Sequence, residues 1–361
     1  MKMIYEVERM AEIDFENEMK KLNDVPRLLL EAELEPIQGS RFQPTGFPDL
    51  GAAVYERPDG KRMILLESAQ SMANRFEQVC LDGNGPNIAE GLKDLPYIHV
   101  RLYGGGIETE TSSLVEAHRI NSPFIMNSQH KDFQDKFKEM ANYARGKPLD
   151  WKKVGKALFF YDTNSILHGA FMANLEDGRM KVPRALTGYI EAEDIREAAS
   201  GGVKNNPIDP TGKIRAEDYD KNVYSNVPYH RMEYTAGKIT AYFNFDLSLI
   251  DGYGFDPAAR SLLIALGLYK IRRFIRTGLR LRTACDLKIK GDIHVTAPDK
   301  FLIPDEESLL KVVKKEISAC TEKGLFAKPP ITELITKVKE KKEEKTSPES
   351  PVERDEENPS K

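Results

Sequence analysis

The alternation of hydrophobic and polar positions predicts three β-strands, each with one buried face. Between residues 28 and 34, leucine and alanine alternate with glutamate, and residues 239–247 and 279–289 show the same period of two. Successive side chains of a strand point to opposite faces of the sheet, so each segment has an apolar and a polar face. The glutamates of the first strand would repel phosphate, so we expect that face to meet solvent or a neighbour.

Helices are predicted where apolar residues recur at steps of three and four. After Ser68, the positions Ala69, Met72 and Phe76 form such a stripe. Pro257 stands at the tolerated first turn of another helix. Further helices are expected at residues 132–145 and 306–323, an amphipathic segment at 331–338, and short apolar strands at 63–66, 97–102 and 157–161.

The order of these elements predicts an α+β protein with a ferredoxin-like or RNA-recognition-motif core. A strand, a turn, a helix and a returning strand fill residues 239–289, and a similar strand and helix precede them around residues 66–80. This is the content of a split β-α-β core with large insertions. We predict one domain over residues 1–336, insertion-rich at about 84–235 and with the second half of the core at 237–290, followed by a disordered charged tail at 337–361.

The amino-acid composition mainly argues against certain functions and sites. The 361 residues include 53 Lys and Arg against 57 Asp and Glu, a net charge of −4, which disfavours nonspecific nucleic-acid binding by bulk charge. Cys80, Cys285 and Cys320 are odd in number and far apart, so we expect reduced, partly buried thiols and no zinc or redox site. The charged start and the lack of a long apolar run favour a cytoplasmic protein. We expect no cofactor and no metal.

Residues 39–77 combine a turn-rich loop with a helix start that is suited to holding an anion. The first turn of a helix leaves backbone N–H groups unpaired, with a partial positive charge. The alternative is an ordinary capped amphipathic helix, since Ser68 and Ser71 are good capping residues. The candidate phosphate-binding side chains in and around this stretch are Arg41, Gln43, Ser68, Gln70, Ser71, Asn74 and Arg75.

A basic cluster lies at the end of the helix opened by Pro257 and in the strand after it. Cations near a helix C-terminus favour the helix dipole, but six exceed what one helix end needs. The guanidinium fork suits phosphate oxygens, so the cluster predicts a local track for a phosphate chain. Its members are Lys270 and the candidate binding residues Arg272, Arg273, Arg276, Arg280 and Arg282.

Several long strings of this sequence resemble one known family. The run RFQPTGFPDLGAA, followed by LLESAQSMANRFE, is similar to the CRISPR-associated Cascade backbone subunit of the RAMP superfamily, in the type I-G lineage, formerly called I-U. The resemblance continues through HRINSPF, LHGAF, SGGVK, NVPYHR, DGYGF and LRLRTACDL, and it stops at the C-terminal tail. The segment SAQSMANR resembles the helix start that such subunits use on guide RNA.

This resemblance implies a non-enzymatic subunit that binds CRISPR guide RNA (crRNA). Copies would line up head to tail along one guide and hold its backbone while the bases pair with target DNA. Other Cascade subunits would complete the assembly, and no membrane is involved. The core would be the palm, and insertions would form a finger and a thumb, with Lys204 as a candidate phosphate contact. The alternative for Lys204 is a solvated lysine on a loop.

Two other functions stay open from the residues alone. A RAMP-type ribonuclease could process precursor guide RNA with His118 or His168 as a general acid or base, although neither has a second catalytic partner at recognisable spacing. Asp162 and Asn164 near His168 are explained by turn capping. A small-molecule enzyme could use the glycines of YGGG and DGYG as a pocket, but a flexible connection and a tight turn explain these strings more simply.

Overall fold

The structure is a computed structural model that describes residues 13–47, 49–83, 85–126, 128–173, 175, 178–208, 210–211 and 226–339. The helices within these residues are α1 Phe15–Lys20, α2 Ala69–Gln78, α3 Pro123–Met126, α4 Lys131–Ala141, α5 Trp151–Tyr161, α6 Thr163–His168, α7 Leu247–Gly252, α8 Pro257–Thr277 and α9 Glu306–Glu322. The strands are β1 Arg27–Pro36, β2 Gly46–Phe47, β3 Gly51–Ala52, β4 Val54–Glu56, β5 Arg62–Glu67, β6 Tyr97–Gly104, β7 Ile107–Ser112, β8 Ala170–Phe171, β9 Lys181–Val182, β10 Leu186–Glu193, β11 Arg196–Lys204, β12 Val227–Thr235, β13 Lys238–Asp246, β14 Arg280–Arg282, β15 Cys285–Ile289, β16 His294–Ala297 and β17 Ile331–Lys337.

An antiparallel sheet forms the centre of the fold. Its strands lie in the order β14-β15-β1-β13-β10-β5-β4, and β16 pairs with β1 on the same edge as β15. Leu30 of β1 lies opposite Phe243 of β13, and Gly188 of β10 lies opposite the same phenylalanine. The helices and this antiparallel sheet make the protein α+β, as the sequence predicts.

One face of the main sheet is buried beneath α2 and α8. The ring of Phe76, on α2, lies 6.1 Å from that of Phe243 on β13 and 5.8 Å from that of Phe274 on α8. All three rings are buried, and aromatic pairs at such separations add to the stability that burial alone provides. The two-faced strands predicted at residues 28–34 and 239–247 are confirmed, because their apolar positions fill this core.

Gly267 allows α8 to approach the sheet closely. A Cβ atom at this position would overlap the ring of Phe245, which is buried in the core. We therefore expect Gly267→Val to lower the free energy of unfolding by about 1–3 kcal/mol, the usual cost of overpacking. Gly252→Ala is the matched control, since a Cβ there meets nothing within 4 Å. Urea denaturation measures both, and a Gly267→Val variant as stable as wild type would contradict this packing.

A smaller sheet and a long hairpin complete the described fold. In the smaller sheet, β6 pairs with β7 and, in parallel, with β17, so the amphipathic segment predicted at residues 331–338 is a strand. The hairpin of β11 and β12 leaves the main sheet between β10 and β13. Its register runs from Arg196 opposite Thr235 to Lys204 opposite Val227.

Several local predictions need correction. Residues 157–161 are not a strand but the end of α5, whose N-cap Asp150 accepts a hydrogen bond from the Lys153 N–H at 3.2 Å. Residues 279–289 form two strands rather than one, because the chain turns at Ala284, where φ is +59°. The glycines of YGGG form the tight turn between β6 and β7 with positive φ, a conformation that glycine adopts readily. The string DGYG begins inside α7.

Other predictions are confirmed or fall on residues that are not described. Pro257 is the first residue of α8, and α9 occupies the segment predicted at residues 306–323. All three cysteines are free and buried. The charged start, residues 1–12, and the predicted tail from residue 340 onward lie outside the described residues.

Candidate nucleic-acid interface

A buried carboxylate organises the start of α2. Glu67 ends β5 and is 1% exposed, and Ser68 follows it as the N-cap of α2. The Ser68 hydroxyl accepts a hydrogen bond from the Ser71 N–H at 3.2 Å, as a capping serine should. The Ser71 hydroxyl donates in turn to the Glu67 carboxylate. The two serines therefore shape the helix start rather than project from it.

Two arginines converge on the same carboxylate. Arg75 donates to Glu67 Oε2 at 3.2 Å, and Arg282 donates to that oxygen at 2.8 Å. Arg75 also donates to the Leu281 carbonyl at 2.7 Å, which ties α2 to β14. With two guanidinium groups to one carboxylate, the cluster retains a positive charge.

Arg282 also connects the end of β5 to the turn-rich loop before β2. Arg282 donates to the Leu66 carbonyl at 2.8 Å and to the Gln43 carbonyl at 3.2 Å. The structure thus brings the basic strand to Gln43 and the helix start, both of which lie more than 200 residues before it in the sequence. Gln43 and Arg282 also line a cavity of about 550 Å³ with residues of β12.

The outward face of α2 is a polar, uncharged ridge. Gln70, Asn74 and Gln78 are exposed and recur at every fourth position, so they lie in one row along the helix. At 1.5 Å per residue the row is about 12 Å long. We call these three side chains the α2 ridge, and a basic hollow lies at each of its ends.

The first hollow adjoins Gln70 and has a volume of about 520 Å³. Arg184 crosses it, donating to the His168 carbonyl at 3.1 Å and to the Gln70 side-chain oxygen. Burial and then nearby Arg119 lower the pKa of the Arg184 guanidinium. Among the described residues Arg184 has no carboxylate partner, so positive charge accumulates here. We call this the N-terminal hollow.

Phe171 and Lys181 form the outer wall of the N-terminal hollow. The Phe171 side chain is 51% exposed, and the Lys181 ammonium lies 5.1 Å from the centre of its ring. An exposed aromatic ring beside a cation offers both a stacking surface and a charge to a nucleic acid. Sequence reasoning missed Lys181, Arg184 and Phe171; the only signal was the pair of cations in the string KVPR, which is too short to be specific.

The second hollow adjoins Gln78 and has a volume of about 320 Å³. Arg75, Arg273 and Arg280 line it. Arg280 is exposed and makes no ion pair within the part of the chain that the structure describes, whereas Arg273 donates to Glu306 at 3.1 Å. We call this the C-terminal hollow.

The remaining cations of the predicted basic cluster are held by the protein itself. Lys270 is 0% exposed, so it lies in the core and the prediction that it belongs to a surface track is wrong. Arg272 is paired with Asp292 and donates to the Ile303 carbonyl at 3.0 Å. Arg276 binds Glu306 at 2.6 and 2.8 Å, and this contact raises the pKa of Arg276 and lowers that of Glu306.

Arg41 and Lys204 stand apart from the α2 ridge. Arg41 lies 3.7 Å from the Glu233 carboxylate, at the base of the β11–β12 hairpin. Lys204 is the last residue of β11 and is exposed. At the usual rise per residue, the hairpin places it about 26 Å from Arg196.

Both histidines considered for catalysis line the N-terminal hollow. His168 is 0% exposed, and its Nε2 lies 2.7 Å from the Lys270 ammonium. Burial, and then the charge of Lys270, lower the pKa of His168 well below its usual value, so the ring stays neutral. The Asp162 side chain accepts a hydrogen bond from the Asn164 N–H and caps α6, so the predicted capping role of Asp162 is confirmed. The Asn164 side chain instead binds Lys270, so capping does not explain Asn164.

The described residues contain no group of three or more His, Cys, Asp or Glu side chains suited to a metal ion. In the same part of the chain, no helix has the length and apolar content needed to cross a membrane.

The structure is thus an α+β protein that carries a basic surface around α2. A family model described as CRISPR-associated protein GSU0053 (Cas_GSU0053) matches residues 28–197, which include most of β1 and all of β5, α2 and the N-terminal hollow. This part of the chain is therefore similar to a CRISPR-associated family, which agrees with the broader part of the resemblance seen in the sequence. No curated protein matches the chain.

Two solved structures are similar over much of the chain. One, titled "CRISPR RNA-guided surveillance complex, pre-nicking", is 14% identical, covers 74% of this chain and 75% of its own, and has a TM-score of 0.36. The other, titled "CRISPR RNA-guided surveillance complex", is 11% identical, with 82% and 83% coverage and a TM-score of 0.31.

Proposed function

We propose that this protein is a non-enzymatic Cascade subunit of the type I-G lineage that binds guide RNA along the α2 ridge. The observation that carries the proposal is the pair of basic hollows joined by that ridge. Each hollow has an arginine without a carboxylate partner among the described residues, Arg184 at one end and Arg280 at the other. Between them, amide side chains can donate to phosphate and ribose oxygens.

The strand order supports an RNA-recognition-motif palm of the RAMP type. Four core strands follow one another in the chain as β1, β10, β13 and β15, with α2 between the first two and α8 between the last two. In the sheet they lie side by side in the order β15-β1-β13-β10. Numbered by their order along the chain, this is 4-1-3-2. This is the arrangement of the split β-α-β core. On this basis, residues 1–336 form one domain with insertions.

The hairpin of β11 and β12 is our candidate for the thumb. It is inserted between the second and third core strands and carries the exposed Lys204 near its outer end. Arg41 at its base and Lys204 would extend phosphate contacts beyond the α2 ridge. The segment between α2 and β10, which contains β6 and β7 of the smaller sheet and most of the lining of the N-terminal hollow, supplies the finger.

Contacts to the backbone suit a subunit that must accept any guide sequence. Amide and guanidinium groups bind phosphate and sugar and leave base edges free, so target DNA can be recognised by base pairing. Repeated head-to-tail contacts between copies would make an open filament whose length the RNA sets.

Copurification tests this proposal in the setting where the protein would act. The full chain, expressed with its own CRISPR array and the other Cascade subunits, should retain RNA whose sequencing shows repeat and spacer. Recovery of only bulk cellular RNA, in proportion to its abundance, would count against the proposal.

A ribonuclease is the second candidate, because His118 and His168 line one basic hollow. The buried, neutral His168 is already engaged by Lys270, which weakens it as an acid. We expect repeat-containing RNA to stay intact when incubated with the protein in chelator. Defined cleavage that disappears in His118→Ala or His168→Ala would establish the enzyme instead.

A further inference from the structure

We propose that the face of the main sheet turned away from α2 and α8 binds an arginine side chain of a partner protein. Its centre is a pair of stacked tyrosines on adjacent strands. The rings of Tyr189, on β10, and Tyr242, on β13, lie 5.0 Å apart with an angle of 24° between their planes. Tyr189 is 38% exposed, so the stacked pair reaches the surface. This site is separate from the proposed RNA surface, which lies on the other side of the sheet.

The register of the strands places carboxylates on both sides of the tyrosines. Glu31 on β1 is directly opposite Tyr242, and Tyr242 is directly opposite Tyr189, so the three form one row across the sheet. In the next row on the same face, Thr240 lies between Glu33 and Glu191. Directly opposite residues on one face have Cβ atoms about 4.5–5.5 Å apart, so Glu31 and Tyr189 both neighbour Tyr242, and Glu33 and Glu191 both neighbour Thr240.

Two of the surrounding carboxylates are not neutralised. Glu33 is paired with Lys290 at 2.8 Å, and Glu193 with Arg57 at 3.4 Å. Glu31 makes no ion pair with any described residue, and Glu191 accepts only the Tyr55 hydroxyl, at 2.7 Å. On the other side of β1 from β13, His294 of β16 lies directly opposite Glu31.

This negative charge affects the pKa values of the two tyrosines. Burial raises the pKa of Tyr189 and of Tyr242, and the Glu191 and Glu31 carboxylates raise both further. A stacked aromatic pair beside unpaired carboxylates attracts a cation both through the ring faces and through direct charge. Arginine fits best, because its flat guanidinium stacks on a ring while it donates to carboxylates at its edge.

The same features disfavour RNA on this face. Tyrosines on a sheet can stack bases, but a base arrives with its phosphates, and the unpaired carboxylates of Glu31 and Glu191 would repel them. An arginine-bearing protein segment meets no such penalty. Tyrosine and arginine are also enriched together in protein interfaces.

Peptide binding to the full chain tests the proposal. The probe is a fluorescein-labelled peptide of alternating arginine and glycine, read by anisotropy at low ionic strength. The same peptide with citrulline keeps the shape without the charge. We expect Glu31→Gln with Glu191→Gln to weaken the arginine peptide about tenfold, and Tyr189→Leu to weaken it about threefold.

The control variant makes the same charge change elsewhere. Glu139 and Glu322 are exposed carboxylates on α4 and α9. Their replacement by glutamine should change the arginine-peptide affinity less than about twofold, and the citrulline peptide should not bind wild type. Thermal unfolding curves confirm that each variant is folded.

Three results would overturn the proposal. If the control pair lost as much peptide affinity as Glu31→Gln with Glu191→Gln, the peptide would be binding through bulk charge and not at this site. Absence of arginine-peptide binding by wild type would likewise exclude the site. If Tyr189→Leu weakened oligouridylate RNA binding and left the peptide unaffected, the face would be a base-stacking surface instead.

Discussion

Arg119→Met is expected to lower the free energy of unfolding by about 3 kcal/mol, the lower end of what breaking a buried ion pair costs. Arg119 joins α2 to the segment before α3 through two hydrogen bonds to the Glu77 carboxylate, at 2.5 and 3.0 Å. Both residues are buried, at 7% and 5% exposure. Methionine keeps most of the apolar stem and removes the guanidinium, so Glu77 is left as an unpaired buried charge.

Urea denaturation at neutral pH measures this loss. Lys270 lies in the same buried region but binds Asn164 and His168, so it compensates only partly for a missing Arg119. Arg57→Met is the control, because Arg57 is a half-exposed partner of Asp59 at 3.0 Å and should contribute less than about 1 kcal/mol. Equal losses in the two variants would contradict a special role for the buried pair.

The loss in Arg119→Met should shrink as the pH falls. Burial raises the pKa of Glu77 in the folded protein, even against the opposing effect of Arg119, and without Arg119 it rises further. A carboxyl group with a raised folded pKa binds protons more tightly in the folded state, so stability increases as the pH drops through that pKa. The gain ends near the unfolded value of about 4.3. A loss that stays constant between neutral pH and pH 5 would show that Glu77 does not titrate this way.

Replacing both unpaired arginines of the proposed RNA surface is the second change with a large expected effect. Arg184→Gln with Arg280→Gln should weaken binding of a single-stranded RNA at least about tenfold at low salt, because each removes a charge-assisted contact to phosphate. The slope of log affinity against log salt should fall by about 1.4, twice the single-strand value of 0.7 per phosphate. Fluorescence anisotropy measures both quantities.

The matched control removes two exposed cations away from the α2 ridge. The Arg101 side chain is 65% exposed on β6 and that of Lys288 is 53% exposed on β15. Their replacement by glutamine changes the net charge equally and should alter RNA affinity less than about twofold. A similar loss in both double variants would mean that RNA responds to overall charge rather than to the two hollows.

Arg184 and Arg280 test the surface better than the arginines that the sequence favours. Arg276 is held by Glu306, and Arg282 by Glu67 and two carbonyl groups. Removing Arg282 would leave the buried Glu67 with only Arg75, so a loss of RNA binding could arise from local unfolding.

The strands and helices with clear periodicity could be predicted from the sequence. The two-faced strands at residues 28–34 and 239–247 and the helix after Pro257 are found where expected. The strand predicted at residues 157–161 is wrong because a short apolar run fits a buried strand and a buried helix equally well. The capping residue Asp150, seven positions earlier, would have favoured the helix.

The candidate site could be predicted only in part. The helix start and the arginine-rich strand are visible as local clusters, and the structure brings them together through Glu67. Whether a cation is free depends on partners that lie far away in sequence, such as Asp292 for Arg272 and Glu306 for Arg276. In the sequence Lys270 belongs to the basic cluster, but it lies on the buried face of α8 and contacts Asn164 and His168. Arg184 was missed for the opposite reason, because nothing nearby in sequence marks it.

The most direct test of the account compares two RNAs of equal length and unrelated sequence on the same variants. If the α2 ridge and its hollows bind the sugar and phosphate backbone, wild type should bind both RNAs with affinities within about threefold, and Arg184→Gln with Arg280→Gln should weaken both by the same factor. A loss confined to one of the two RNAs, or full affinity of the double variant for both, would contradict it.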